Sequence, residues 1–227
     1  MKEEEKIKVN LLFISLIVAV FTLIAGIFIG LSLAKKEVYL IGIKENQIKA
    51  EILELEATLR FLNENICEDK VLQDFSVDLD KVGQRLESLQ NRLFINRGEY
   101  ESLKRFYYTL EVEHYFLLKK AEKRCNKNFV FIFYFYKPIE KCPLCFKQGV
   151  YLTILKEKFL NQVQIYSFDK EDFNKSILLK KIMLKYGIDP NLNEPELVIN
   201  EKKYKFLEKE ELEKLVIEIL KNKGSEN

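Results

Sequence analysis

The 227-residue sequence has no tryptophan, one histidine, four prolines, eight glycines and four cysteines. The scarcity of glycine and proline removes most turn signals, so long helices are expected over part of the chain. Four cysteines are too few for a disulfide-scaffold miniprotein. Any mechanism needing a histidine base has only His114, which lies in a charge-rich helical stretch and reads as a structural or solvated residue. A net charge of +2 gives no bulk electrostatic case for a nucleic-acid partner, and interspersed lysine and glutamate read as solvated helix faces. No nucleotide-binding loop, catalytic triad or haem motif is present, and neither a cofactor nor a metal is expected.

An uncharged run from Leu11 to Ala34 exceeds the ~20 residues a helix needs to cross a bilayer. It predicts a single-pass membrane anchor over residues 1–34. A cleaved signal peptide is the competing reading, although its apolar region is typically about 7–15 residues. Lys2, Lys6 and Lys8 before the run nearly balance Lys35, Lys36, Lys44 and Lys49 after it, which leaves the orientation open. Gly26 and Gly30 form a GxxxG pair, a weak sign of helix association.

Residues 35–127 read as an α-helical coiled-coil or hairpin region. Val38, Ile41, Ile48, Ile52, Leu55, Leu59, Leu62 and Ile66 follow heptad spacing, broken by Glu45. This stripe needs a partner, either a second copy of the chain along 38–66 or a later helix. Leu79, Val82, Leu86, Leu89 and Leu93 repeat the pattern. Asn96-Arg97-Gly98 signals a turn, and residues 99–125 carry a further helix, so 79–95 and 99–125 form a helical hairpin.

At Phe129 the composition changes. Residues 130–136, all aromatic or β-branched, read as a buried central strand. A short loop leads to Cys142-Pro143-Leu144-Cys145, which opens a helix to about Phe159. Strand 162–168, helix 174–186, strand 196–200, its hairpin partner 203–206 and helix 209–221 complete the order β-α-β-α-β-β-α.

This order, with CPLC at the first strand-to-helix junction, Pro195 just before the third strand and a terminal hairpin followed by a helix, resembles the thioredoxin superfamily over residues 128–227. The Cys-Pro-x-Cys form looks like glutaredoxins and some disulfide oxidases. The whole layout is similar to membrane-anchored thioredoxin-like proteins of archaea. The resemblance implies an α/β thioredoxin-like fold and thiol–disulfide exchange with protein thiols and disulfides. Pro195 matches the superfamily's cis-proline, with Glu194 before it at the substrate groove and Lys141 and Tyr136 lining it. The strand lacks the superfamily's buried carboxylate, and Lys141 stands where many relatives have tryptophan.

The spacing carries its own chemistry. Two cysteines three apart at a helix start can close a disulfide across one turn. The helix N-terminus stabilises a thiolate on the first. Cys142 is then the nucleophile and Cys145, less exposed, the resolving thiol. A static disulfide or half of a zinc site is the alternative. Cys67 and Cys125 are expected to pair, closing a loop of nearly 60 residues worth ~4 kcal/mol in the chain-entropy model; two unrelated thiols are the other reading. Such a bridge favours an oxidising compartment and hence an extracytoplasmic soluble part. The sequence therefore points to a membrane-anchored thiol–disulfide oxidoreductase, or alternatively to a non-catalytic scaffold working through its helical region.

Overall fold

The computed structural model describes residues 2–62, 66–90 and 96–225, with the side chains of 2–14, 69 and 225 outside the description. Leu93 and the side chains of Lys2, Lys6, Lys8 and residues 11–14 therefore lie outside the described residues. Helix α1 (Lys2–Leu62) is unbroken. Its apolar part has mean hydropathy 2.7, near the N-terminus, and is long and apolar enough to cross a membrane. There Leu16, Phe21, Ile24 and Phe28 are all exposed, as residues facing lipid would be.

Helices α2 (Asp69–Gln90) and α3 (Arg97–Cys125) fold back beside α1. They cover its stripe within the chain, so Ile41, Ile48, Ile52, Leu55, Leu59 and Leu62 are buried without a second copy. α2 begins ten residues before the expected 79, because Leu72 and Phe75 extend the same three-four spacing and are also buried. The Asn96 side chain caps α3 by accepting from Glu99 N.

The remaining elements are β1 (Val130–Tyr136), α4 (Pro143–Phe159), β2 (Val163–Asp169), a 3-10 turn (Lys170–Asp172), α5 (Ile177–Tyr186), β3 (Glu196–Ile199), β4 (Lys202–Tyr204) and α6 (Lys209–Ser225). α5 starts later than expected, where Ser176 caps it by accepting from Leu179 N. The sheet is mixed, in the order β2-β1-β3-β4. β2 runs parallel to β1, while β3 is antiparallel to both β1 and β4. Asn200 and Glu201 both have positive φ, as a two-residue primed hairpin requires, and this starts β4 at Lys202 rather than 203. Glu201 is held there by Tyr115 and Tyr186, whose hydroxyls each donate to its carboxylate at 2.6 Å.

Alternation divides the sheet between two faces. Val130, Ile132 and Tyr134 face a core shared with α4 and α6. Phe131, Phe133 and Phe135 face a cluster that runs without interruption from Ile41 to Val198. Tyr115 of α3 packs edge-on against both Phe131 and Phe133, at 5.1 and 4.9 Å between centroids.

Two titratable groups are sealed in that second interface. Ser76 Oγ donates to Leu72 O, which leaves it to accept from His114 Nε2 at 3.1 Å, while Tyr166 OH donates to Nδ1 at 3.2 Å. His114 is therefore a neutral structural residue, and burial lowers its pKa to about 3. Glu111, one turn earlier, accepts from Ser167 N, and burial raises its pKa well above 4.5. Their linkages to folding are opposite. Between pH 6.5 and about 3 the unfolded chain holds one more proton on His114, so stability falls with pH. Above 4.5 the folded chain holds one more proton on Glu111, so stability rises as pH falls. The two linkages therefore oppose each other in the acid range. In chemical denaturation, stability should fall more steeply with falling pH for Glu111→Gln than for the natural chain, and less steeply for His114→Gln; parallel profiles for all three would refute the assignment.

Candidate redox site

The CPLC motif sits where β1 ends. Loop 137–141 is closed by Cys142 N donating to Pro138 O at 3.0 Å, and Cys142 is the N-cap of α4. Pro143 occupies the first turn, where its missing N–H forfeits nothing. Cys142 and Cys145 are disulfide-bonded, with Cα atoms 5.2 Å apart. Cys145 N points at Cys142 Sγ, 3.1 Å away, so a backbone donor already addresses the first sulfur. Tyr134 OH donates to Cys145 O, tying the cysteine turn to the central strand. Burial raises the Tyr134 pKa, which keeps that donor protonated.

The expected order of exposure is not observed. Cys142 is 0% exposed and Cys145 2%. Capping explains this: the first sulfur is turned inward onto the Cys145 N–H at the helix start. Around the disulfide, Ile139, Leu144 and Phe146 are exposed. Lys141 is exposed and paired with Glu171, whose carboxylate raises the lysine's pKa and offsets its charge beside the cysteines. Tyr136 is half-buried and stacks on Tyr134 at 5.4 Å.

Pro195 lies one step beyond the Phe135–Glu196 pair, next to Tyr136 at the same end of the sheet. The expectation of a cis bond is corrected: no cis peptide occurs among the described residues, so Glu194–Pro195 is trans, the favoured form of an X–Pro bond. The Glu194 carbonyl is not free at the groove either. Lys170 Nζ donates to it at 2.8 Å, and the Glu194 carboxylate lies 3.8 Å from Lys205.

Sequence reasoning passed over Lys170, one of many lysines. Lys170 Nζ donates to Glu196 Oε2 at 2.6 Å, and the pair is 0% and 1% exposed. Its remaining donors take the carbonyls of Leu192 and Glu194. Glu196 also accepts from Lys203 and from Asp189 N. The segment before Pro195 is thus fixed by one buried ammonium, whose pKa burial pulls down against the pull of Glu196. A second buried group lies alongside. Lys104 of α3 reaches Asp169 and Asp172, both at 2.7 Å. Burial works against the Lys104 charge, but the two carboxylates outweigh it and raise its pKa. In the structure Asp169, just before Lys170, ends β2 level with Tyr136.

Cys67 and Cys125 are disulfide-bonded, with Cα atoms 5.4 Å apart. They join the start of the α2 segment to the end of α3, five residues before β1. The four cysteines therefore form two separate pairs at opposite ends of β1, not one cluster. The chain matches no family model, no curated protein and no solved structure.

Removing Lys170 should cost far more than removing Lys203. Lys170→Met leaves Glu196 buried and two carbonyls without a donor, an expected loss of about 3–5 kcal/mol. Lys203 is 37% exposed, so Lys203→Met should cost about 1 kcal/mol or less. Urea denaturation of both variants checks this; equal losses would contradict the clamp.

Proposed function

We propose that residues 128–227 form a thioredoxin-like domain and that the protein is a membrane-anchored thiol–disulfide oxidoreductase. The strand directions and the cysteine turn support the first part. The observation that carries the second is the Cys142–Cys145 disulfide closed across the first turn of α4 with a backbone N–H aimed at Cys142 Sγ. When the bond opens, that N–H and the positive end of the helix stabilise a Cys142 thiolate, which favours exchange over inert bonding.

The reaction balances as follows. The reduced Cys142 thiolate attacks one sulfur of a partner disulfide, and the other partner sulfur leaves as a thiolate. Cys145, deprotonated, then attacks Cys142 Sγ and displaces the second partner thiolate. The partner gains two electrons, and Cys142–Cys145 is left in the oxidised form observed here. The reverse sequence oxidises a partner dithiol. Because both sulfurs are buried in the bonded state, exchange requires the residues that cover them to move aside. The Cys67–Cys125 bridge supports an oxidising compartment for the soluble part.

The complete burial of Cys142 favours a second reading, a scaffold whose disulfide is static. Redox equilibration separates the two. The full chain in detergent, equilibrated in glutathione buffers with cysteine states mapped by mass spectrometry, should open and close Cys142–Cys145 between about −120 and −270 mV. Cys145→Ser should then accumulate mixed disulfides through Cys142. A pair that stays closed below about −300 mV would reject the oxidoreductase and leave the scaffold.

A further inference from the structure

We propose that the CPLC end of the sheet is turned toward the membrane, and that the protein exchanges disulfides with cysteines in the layer just outside the bilayer, on the polypeptides of integral membrane proteins. This rests on the oxidoreductase reading and adds its substrate class.

The direction follows from contacts traced along the chain. α1 leaves the apolar run at Ala34 and continues unbroken to Leu62. α3 runs alongside it in the same direction. Buried Glu45 lies against Asn96 and Glu99 at the start of α3, and Cys125 at its end is bonded to Cys67, just beyond α1. The sheet strands β1 and β2 run the opposite way. Phe129 N donates to Glu122, Phe131 packs on Tyr115, Ser167 N donates to Glu111, and Asp169 meets Tyr108 and Lys104. Beyond Asp169, Lys175 pairs with Glu101 near the start of α3. As β1 and β2 advance, they step back down α3 toward the bilayer. The loop carrying Cys142 continues in that direction, with Lys141 on Glu171.

The height follows from helix geometry. Glu101 lies a few residues past the Glu45 level, so the cysteine loop stands roughly 20 Å above Ala34 at about 1.5 Å per residue. Headgroups occupy about 5–8 Å of that gap. The soluble part cannot swing freely, because α1 is both the span and a wall of the core. A cysteine within about ten residues of the end of a membrane-spanning helix is in reach, whereas one on a distant soluble domain must enter the gap between sheet and bilayer. The exposed Ile139, Leu144 and Phe146 beside the disulfide suit the apolar flanks of such a segment. A lipid fits the same surface but brings no sulfur to exchange.

A ruler experiment tests this. The reduced full-length protein is reconstituted in vesicles with single-span helical peptides, each bearing one pyridyl-disulfide cysteine on a rigid helical extension about 20 or 60 Å above the apolar core. Release of the pyridine thione is expected to be at least about tenfold faster at the lower height, through higher effective concentration. A helical insertion of about 18 residues after Lys36, five whole turns, should move the preferred height up by about 27 Å. Equal rates at both heights, or faster reaction at the upper one, would overturn the inference. So would reaction with a soluble pyridyl disulfide but with neither peptide. Failure to react with the soluble disulfide would overturn the oxidoreductase reading itself.

Discussion

The sheet face formed by Phe131, Phe133 and Phe135 needs more cover than the ten-residue α5 supplies, and α3 provides it with Tyr108 and Tyr115. The same helix closes the stripe of α1 on its other side, so one apolar cluster extends from Ile41 to Val198. Burying these rings is worth about 1.5–3 kcal/mol each, and the share supplied by α3 is lost if the sheet detaches from the bundle. The long helix α1, the rest of the bundle and the sheet are therefore held as one body, and the direction in which the disulfide faces depends on this contact.

Polar groups sharpen the contact. Lys104 is locked to two aspartates at the end of β2, and Lys170 is locked to Glu196 beneath the segment leading to Pro195. A buried ion pair is weak evidence for net stability, but removing one partner is severe, so such pairs enforce register. Here they fix the two connections that flank the end of β1, where the cysteines sit. The Cys67–Cys125 bridge fixes the opposite end. The cysteine loop 137–141 lies between these fixed points, held by backbone bonds, by Lys137 Nζ donating to Asn191 O and Asn193 Oδ1, and by the exposed Lys141–Glu171 pair.

Periodicity made much of this readable. The apolar run and the heptad stripe lie along the one helix α1, and the aromatic run is strand β1 at the expected residues. Cys142 at a helix start was legible because Pro143 marks a first turn. The failures have a common cause. Nothing local distinguishes Lys104 and Lys170 from the other lysines, because their burial depends on carboxylates 65 and 26 residues away. His114 read as structural or solvated, and the structural alternative holds, with Ser76 and Tyr166 as partners that spacing does not name.

The central claim is the orientation of the sheet on the bundle, with the cysteines toward the bilayer and the Cys67–Cys125 bridge away from it. Pulsed dipolar spectroscopy tests it directly, on full-length protein in lipid nanodiscs with spin labels on noncanonical residues that leave the cysteines intact. One pair would join Lys36 to Glu140, the other Lys36 to Arg124. The account expects a narrow distribution near 25–30 Å for the first pair and a longer one, about 45 Å, for the second. A broad first distribution, or a first distance exceeding the second, would contradict it.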